Sequence, residues 1–280
     1  MSEIKAGIYR DISIHDYHAG IGLSASNLSE LARSPLHYMT SLNYPSKETP
    51  SLRLGIAVHC AILEPERFEI EYVEAPSIDR RTKEGKARFS EIEGSGKIVL
   101  SSEEYAKVTG MAKAVHNHEL ASRLFSGGLS EQSIYWCQSV SSLDVATGIL
   151  CKARPDYMRL LTHGYVIVDL KTTQDASIKG FQKKAYYQWN YHLQAAHYIN
   201  GFEAVTKEKV LAFIYVAIES EPPYAVSIFK AGNDFIDAGK AKVKELYELY
   251  AECMVKNEWP GYSKEIHELR LPKIAGYKGD

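Results

Sequence analysis

Apolar residues in the first half of the chain recur at the spacing of helices. Segment 24–33 begins with serines that can cap a helix, continues with leucines three residues apart, and stops at a Ser-Pro pair, so it predicts a helix. Segment 52–63 has apolar residues three and four apart and predicts a second helix, and 102–125 predicts one or two more. Between them, 68–76 predicts a short strand, and the charged, glycine-containing stretch 79–96 predicts a surface helix or a mobile loop.

The pattern changes to short apolar runs in the second half. Turn-forming residues separate these runs, which predicts a series of strands with helices after them. The predicted strands are 133–139, 148–154, 165–169, 211–218 and 224–229, and the predicted helices are 177–199, ended by Asn200-Gly201, and 233–255. Together they predict one α/β core, from about residue 120 to 255, wrapped by a helical N-terminal segment.

The composition is that of an ordinary globular protein, with 280 residues of which 45% are hydrophobic and 24% charged. The four cysteines lack the CxxC spacing of a zinc site and form no disulfide pattern, so a reducing cytoplasm is the expected location. We expect no apolar leader and no membrane-spanning segment.

The net charge of −2 counts modestly against binding of nucleic acid, although a local patch matters more than the sum. Segment 79–88 carries five positive and two negative side chains and is a candidate patch. A solvated helix start explains the same segment equally well.

Two carboxylates and a lysine stand out near the ends of predicted strands. Pro155-Asp156 is followed, after twelve residues, by Asp169-Leu170-Lys171. Residues two apart in a strand share a face, so Asp169 and Lys171 project together, and a hairpin would bring Asp156 beside them. Such a face can hold a hard divalent cation and help to activate a water, which is what cutting a phosphodiester requires. A strand that ends at the surface with an ordinary salt bridge is the alternative explanation of the triplet.

Further residues extend this candidate site, each with a simpler alternative. Glu131 begins a predicted strand and can add a metal ligand or orient a ligating water, or it is a solvated edge residue. His59 lies on an otherwise apolar helical stretch, where a packed histidine is the simpler interpretation and a metal ligand the more specific one. Gln194 and Tyr198 share a helix face with Tyr191, in an aromatic stripe typical of a core, but the glutamine amide needs a polar partner.

In this order the residues resemble the PD-(D/E)xK, or restriction-endonuclease-like, nuclease superfamily, and its RecB-like branch in particular. From about residue 8 to about residue 260 the chain resembles RecE-type exonucleases, that is, the C-terminal nuclease domain of exodeoxyribonuclease VIII. The segments that carry this likeness are 23–26, 54–66, 133–136, 147–151, 154–156, 169–173, 191–194 and 258–260.

The resemblance implies a fold, an activity and an assembly. We expect a restriction-endonuclease-like mixed sheet flanked by helices, in a single nuclease domain over 1–280 with a helical N-terminal segment (8–125), a catalytic core (126–255) and a tail (256–280). RecE-type enzymes degrade linear double-stranded DNA from the 5′ end with magnesium and leave a 3′ single-stranded tail for recombination by strand annealing. The likeness also implies a homo-oligomeric ring, a tetramer, with a RecT-type annealing protein as partner, in a phage or prophage.

The resemblance further implies roles for the site residues. The groups that would bind Mg²⁺, for which Mn²⁺ can substitute, are His59, Asp156, Asp169 and the carbonyl of Leu170. Lys171 would orient the attacking water and stabilise negative charge in the transition state. Glu131 would hold a second metal through water or position Lys171, and Gln194 and Tyr198 would brace the site and contact the DNA backbone.

Other functions are open at this point. An endonuclease of the same fold, or a RecB-like nuclease of a defence system, would use the same residues. Many such defence nucleases carry an iron–sulfur cluster, and the cysteines here lack its clustered spacing. A catalytically inactive DNA-binding protein would have lost an acidic residue or the lysine, and all of them are present.

Overall fold

The computed structural model describes residues 4–44, 49–78, 81–142 and 145–269. The predicted basic stretch at 79–88 and the predicted tail therefore lie partly outside the described residues. Within those ranges the helices are α1 (Ile14–Ala19), α2 (Ala25–Arg33), α3 (Pro35–Asn43), α4 (Pro50–Leu63), α5 (Pro65–Glu71), α6 (Lys83–Gly94), α7 (Ser102–Asn117), α8 (Glu119–Leu124), α9 (Ile178–Tyr187), α10 (Tyr191–Thr206) and α11 (Asn233–Lys256). The strands are β1 (Gly7–Tyr9), β2 (Tyr72–Glu74), β3 (Ile98–Leu100), β4 (Leu129–Ser130), β5 (Ser133–Ser142), β6 (Val145–Ala153), β7 (Tyr157–Leu161), β8 (Gly164–Thr173), β9 (Val210–Glu219) and β10 (Val226–Lys230).

A five-stranded mixed sheet forms the centre, in the order β10-β9-β8-β7-β4. β7 and β8 form an antiparallel hairpin, whereas β8 and β9 run parallel because α9 and α10 cross over between them. Helices cover both faces, so the predicted α/β class with a mixed sheet is confirmed.

Side chains of β8 alternate between two hydrophobic clusters, one on each face of the central sheet. Ile167 belongs to the cluster that contains residues of α9, α10 and α11. Val166, Val168 and Leu170 belong to the cluster that contains residues of α4 and α7. By the same alternation Asp169 and Lys171 project toward α10, while the side chain of Leu170 projects toward α4.

A second sheet, β1-β5-β6, joins the N-terminal segment to the core. Lys152 of β6 donates hydrogen bonds from Nζ to the main-chain carbonyls of Tyr17 at 2.7 Å and Gly20 at 2.5 Å. Burial lowers the pKa of Lys152 to about 8. The lysine therefore fastens the end of α1 to the sheet through two carbonyl acceptors.

The predicted helix at 24–33 is confirmed, and its start has the expected cap. The Ser24 hydroxyl accepts a hydrogen bond from the main-chain N–H of Asn27 at 3.2 Å, and the Asn27 side chain accepts one from the Ser24 N–H at 3.0 Å. No helix in the described ranges is both long enough and apolar enough to cross a membrane.

Two predictions of secondary structure need correction, and one strand that shapes the site was missed. The helix predicted at 177–199 is wrong as a continuous element, because α9 ends at Tyr187 and Asn190 adopts a left-handed conformation with φ of 52° before α10 begins. Its predicted end at Asn200-Gly201 is also wrong, because α10 continues through these residues to Thr206. The strand predicted at 68–76 shrinks to β2, since α5 begins at Pro65 and continues to Glu71. β7 was not predicted, and it supplies the partner of β8 in the expected hairpin.

His197 of α10 is fully buried and neutral. Its Nε2 lies 3.0 Å from the Lys152 carbonyl, and its Nδ1 lies 2.9 Å from the Tyr247 hydroxyl. Since a carbonyl can only accept, Nε2 carries the proton and Nδ1 accepts from Tyr247. Burial lowers the pKa of His197 to about 4.

We expect His197 to make stability depend on pH in the acid range. In the unfolded chain the imidazole gains a proton below its ordinary pKa of 6.5, whereas in the folded protein it stays neutral down to about 4. The stability that the buried, neutral imidazole gives to the folded state is therefore complete above pH 6.5, and it is lost as the pH falls toward 4. Between pH 7.5 and pH 5 the free energy of unfolding of the wild type, relative to His197→Gln, should fall by about 2 kcal/mol in urea titrations.

His163, exposed in the β7–β8 turn, provides the matched control. His163→Gln should leave the pH dependence of unfolding as in the wild type. The free energies of unfolding of the wild type and of His197→Gln should differ by an amount that changes across this pH range. A constant difference would contradict the assignment of a buried neutral imidazole.

Candidate active site

The two halves of the motif, Asp156 and the triplet Asp169-Leu170-Lys171, meet at the main chain of Leu170 in β8. β7 pairs with β8 only from Tyr157, opposite Val168, so β8 continues beyond the end of its partner. The Asp156 carboxylate takes the place of the missing strand partner, and its Oδ2 accepts a hydrogen bond from the Leu170 N–H at 2.6 Å. The predicted hairpin thus places Asp156 beside Asp169-Leu170-Lys171.

Asp169 and Lys171 lie side by side, as residues two apart in a strand should. Lys171 Nζ is 2.6 Å from Asp169 Oδ2 and donates to it in a charge-assisted hydrogen bond. The other oxygen, Oδ1, accepts a hydrogen bond from Gln194 Nε2 at 3.0 Å. The Asp169 side chain is fully buried, whereas that of Lys171 is 17% exposed, so the lysine forms the solvent-facing part of the pair.

His59 reaches the same point from α4. Its Nε2 lies 3.0 Å from the Leu170 carbonyl oxygen and 3.2 Å from Asp156 Oδ2, and its Nδ1 lies 2.8 Å from the carbonyl of Gly55. Burial acts to lower the pKa of His59, but the neighbouring Asp156 carboxylate raises it to about 9. Both ring nitrogens face acceptors, which fits a protonated imidazole that donates from each.

The charges in this cluster hold one another in place. Burial raises the pKa of Asp169 to about 6, against the lowering effect of Lys171. Burial also acts to raise the pKa of Asp156, but His59 and Lys171 lower it below its usual value. For Lys171, burial acts to lower the pKa and Asp169 outweighs it, so the pKa lies above the ordinary value and the amine stays an ammonium. Lys171 is therefore a charged donor, not a base.

Glu131 lies next to the cluster but is occupied by Arg154. Its Oε2 accepts a hydrogen bond from Arg154 Nε at 2.7 Å, and its main-chain N–H donates to the Asp156 carbonyl at 3.0 Å. Arg154 also donates from Nη1 to the Ile12 carbonyl at 2.9 Å and to Ser133 Oγ at 2.6 Å. Burial and the nearby Asp156 raise the pKa of Glu131 to about 7.

Arg154 received no role from the sequence, although it directly precedes Pro155-Asp156. Its position next to the motif is the only local signal, since the partners Glu131, Ser133 and Ile12 are distant along the chain. The structure shows that this arginine joins the start of β5 and the N-terminal segment to the residue before the motif.

The glutamine and tyrosines of α10 lie on the opposite side of Asp169 from His59. Gln194 contacts Asp169 directly, and the Tyr198 hydroxyl lies beside the Gln194 amide, with burial raising the pKa of Tyr198 well above its ordinary value. Tyr191 places its ring under Lys171, with Nζ 4.7 Å from the ring centroid. The shared helix face of these three residues was predicted, but the contact between Tyr191 and Lys171 was not.

The donor set fits a hard divalent cation. Among the described residues no three histidine, cysteine or acidic side chains gather into a ready-made metal site. The set here instead combines the Asp156 and Asp169 carboxylates with the Leu170 carbonyl, all oxygen donors of the kind that Mg²⁺ prefers. The His59 imidazole would join them only after its Nε2 has lost its proton to make room for the cation. Asp169 Oδ2 is buried, and the Lys171 ammonium is its partner, so this oxygen keeps a lone pair that a cation could use.

The sequence between residues 24 and 272 matches the family described as a PDDEXK-like domain of unknown function (DUF3799). The chain belongs to this family. The designation agrees with the acid, acid-x-lysine order of Asp156, Asp169 and Lys171, and it places the chain in the PD-(D/E)xK nuclease superfamily. No protein of curated function matches the sequence.

A solved structure shares the fold of this PDDEXK-like chain. A crystal structure from Eubacterium rectale, named "Putative exonuclease", matches with a TM-score of 0.61 and 14% identity, over 95% of this chain and 96% of that one. At that identity the likeness shows a common fold alone. A structure of the protein named SSO0001 matches with a TM-score of 0.31 and 14% identity, over 73% of this chain and 87% of that one, and it carries no argument.

We expect Arg154→Met to destabilise the protein because it leaves the Glu131 carboxylate largely buried without its partner. At pH 8 the free energy of unfolding should fall by about 3 kcal/mol in urea titrations, because the variant must either bury the charge of Glu131 unpaired or take up a proton to neutralise it. Adding Glu131→Gln should recover part of this loss, since it removes the unpaired charge.

The exposed pair of Arg88 and Glu91, 2.6 Å apart, is the control. Arg88→Met should cost less than about 1 kcal/mol because water screens the pair. An Arg154→Met loss as small as that of Arg88→Met would contradict the view that the pair fixes the end of the motif.

Proposed function

We propose that this PDDEXK-like protein is a magnesium-dependent exonuclease that degrades linear double-stranded DNA from its 5′ ends and leaves 3′ single-stranded tails. The observation that carries the proposal is the meeting of Asp156, Asp169, Lys171 and His59 around the main chain of Leu170. Membership of a PDDEXK-like family supports nuclease chemistry, and the RecE-type resemblance supports the substrate and the polarity.

The site residues divide the chemistry between them. Asp156, Asp169, the Leu170 carbonyl and His59 would hold the cation, which when bound polarises the scissile phosphate and lowers the pKa of water. The Lys171 ammonium is fixed by Asp169 on one side and by the Tyr191 ring beneath, and it donates to the phosphate oxygens as negative charge develops on them. Gln194 holds Asp169 in orientation through Oδ1, which leaves Oδ2 directed at Lys171.

The proposed hydrolysis balances without a proton acceptor from the protein. Water oxygen forms a new bond to phosphorus, the bond from phosphorus to the leaving oxygen breaks, and the proton released from water is taken up by solvent while the leaving oxygen gains one. Because Lys171 is held as an ammonium by Asp169, its part is to position and stabilise, not to accept the proton.

The assembly proposed with this activity comes from the RecE-type resemblance. We propose a homo-oligomeric ring, a tetramer, that encloses the duplex, and a RecT-type single-strand annealing protein as the partner that receives the 3′ tail. A ring that encloses DNA makes digestion processive, because the enzyme cannot dissociate between cuts. Competitor DNA added after the reaction starts should therefore leave the digestion of the first substrate unchanged.

A linear duplex labelled at the 5′ or the 3′ end, beside the same DNA as a closed circle, tests the activity in the presence of Mg²⁺. We expect early loss of the 5′ label, an intact circle, and no cutting by Asp156→Ala. A cut circle would identify an endonuclease instead. Absence of metal-dependent cutting of every substrate would overturn the nuclease proposal.

Lys171→Ala should lower the cutting rate by about 10²- to 10³-fold, because it removes a fixed charge from the site where negative charge develops. The matched control is Lys113→Ala, a change of an exposed lysine on α7, across the sheet from α10. Lys113→Ala should cut as the wild type does. Folded Lys171→Ala protein, confirmed by its thermal melting, that still cuts at the wild-type rate would remove Lys171 from the mechanism.

A further inference from the structure

Helix α9 carries lysines and aromatic residues and no acidic residue. Its sequence, Ile178–Tyr187, contains Lys179, Lys183 and Lys184 together with Tyr186 and Tyr187. Tyr187 is 79% exposed, which is unusual for so large an apolar ring. The chain as a whole is slightly acidic, so this helix is a local exception to the overall charge.

A continuous row of cations and aromatic rings leads from the candidate active site to this helix. Lys171 Nζ lies 4.7 Å from the centroid of the Tyr191 ring. Tyr191 stacks on Trp189 with centroids 5.2 Å apart and an angle of 29° between the rings. Lys184 Nζ lies 5.6 Å from the centroid of Trp189. We refer to Lys171, Tyr191, Trp189 and Lys184 as the cation–aromatic row.

The local backbone fixes this stacking. The main-chain N–H groups of Gln188 and Trp189 both donate to the Lys184 carbonyl at 3.0 Å, which ends α9. Asn190 then adopts its left-handed conformation, so the side chains on either side of it, Trp189 and Tyr191, stack on each other. Phe181 lies against both, with centroids 6.2 Å and 6.0 Å away, and supports them from the core.

Trp189 and Tyr191 are nevertheless both partly exposed. Both rings pack in part against the core, and the rest of the pair is open to solvent. The side chain that lies over the Trp189 ring is that of Lys184, which is flexible, charged and itself partly exposed. A lysine can leave the ring for a phosphate and uncover the ring for a base.

The surroundings favour an anionic ligand. Lys179 and Lys183 line a shallow cleft of about 500 Å³ between α9 and the start of α11, together with Tyr186 and Tyr187. Asp234 is the acidic residue of that lining, and Asp175 lies near Lys184 before the helix. The carboxylate of Glu219 also lies near the start of the helix, where it accepts from the Ala176 N–H at 3.0 Å. The positive charge is therefore confined to α9 itself, which carries three lysines and no acidic residue.

From this geometry we propose that the cation–aromatic row and the lysine face of α9 bind single-stranded DNA, the strand being cut, in its unpaired form. A base stacks on Trp189, and the neighbouring phosphates lie on Lys183 and Lys184, while the scissile phosphate is held at Lys171. A base can stack on a side chain only if its ring face is free, and in a duplex the neighbouring bases cover that face. The strand is therefore unpaired where it meets the cation–aromatic row. This inference rests on the proposed nuclease function and adds to it the path of the strand.

The test measures binding of a fluorescein-labelled thymidine dodecamer by anisotropy, in EDTA so that nothing is cut. The variants are Lys183→Ala/Lys184→Ala, Trp189→Leu and Trp189→Phe, with Lys113→Ala as the control. Tyr191 is left unchanged because it also contacts Lys171. Thermal melting of each variant checks that it is folded.

Loss of both lysines should weaken binding and reduce the slope of log affinity against log salt by about 1.4, since each phosphate contact to a single strand contributes about 0.7. Trp189→Leu should weaken binding roughly 5- to 100-fold, as loss of one stacked base does. Trp189→Phe should retain most of the affinity because it keeps a ring, and Lys113→Ala should bind as the wild type does.

Two results would overturn this inference and leave the nuclease function intact. The first is wild-type protein that cuts DNA while the lysine and Trp189→Leu variants bind the dodecamer within twofold of it. The second is an equal loss of affinity for the dodecamer and for a duplex of the same length, which would make α9 a general DNA contact. Wild-type protein that neither cuts nor binds DNA would instead overturn the proposed function itself.

Discussion

The hydrogen bond from the Leu170 N–H to the Asp156 carboxylate is the constraint on which the candidate site depends. β8 extends past the end of β7, so the main-chain N–H and carbonyl of Leu170 lack a strand partner on that side. The carboxylate satisfies the N–H, and the His59 imidazole satisfies the carbonyl. An unpaired main-chain group costs free energy when it is buried, so the fold itself requires both side chains to be there. The alternation along the strand then places Asp169 and Lys171 on the other face, toward α10.

The cluster stays stable because its charges balance. Two largely buried carboxylates, Asp156 and Asp169, would repel each other and be costly to desolvate if they stood alone. The imidazolium of His59 and the ammonium of Lys171 supply two positive charges at 3.2 Å and 2.6 Å from them. The same oxygens that these cations neutralise are those a divalent cation would bind, so the structural and the functional demands fall on one set of atoms. Glu131 belongs to a separate pair with Arg154, and it contacts the site by a main-chain hydrogen bond to Asp156 and by the charge of the Asp156 carboxylate nearby.

The sequence allowed much of this arrangement to be predicted, for identifiable physical reasons. Asp169-x-Lys171 follows a buried apolar strand, and period-two alternation alone places both side chains together. The break between α9 and α10 was missed, because segment 186–190 contains no glycine or proline and the single asparagine that adopts the left-handed turn is only a weak signal for one. The pair of Arg154 and Glu131 was also missed, since the two residues are 23 positions apart and lack a shared periodic pattern. Local spacing predicts neighbours within an element, whereas contacts across elements depend on the register of the whole sheet.

The break at Asn190 shows why the missed feature matters for the site. With α10 beginning at Tyr191, the first turn of the helix places Tyr191 beneath Lys171, and Gln194, three residues on, reaches Asp169. A helix continuous from 177 to 199 would carry the side chains of Trp189 and Tyr191 about 200° apart around its axis, since each residue advances by about 100°. Stacked as they are, the two rings require the left-handed residue between them. The left-handed turn at Asn190 therefore has two effects. It orients α10 so that Gln194 reaches Asp169, and it extends the aromatic surface from Lys171 toward the lysines of α9. Both features arise from one local departure from helical geometry.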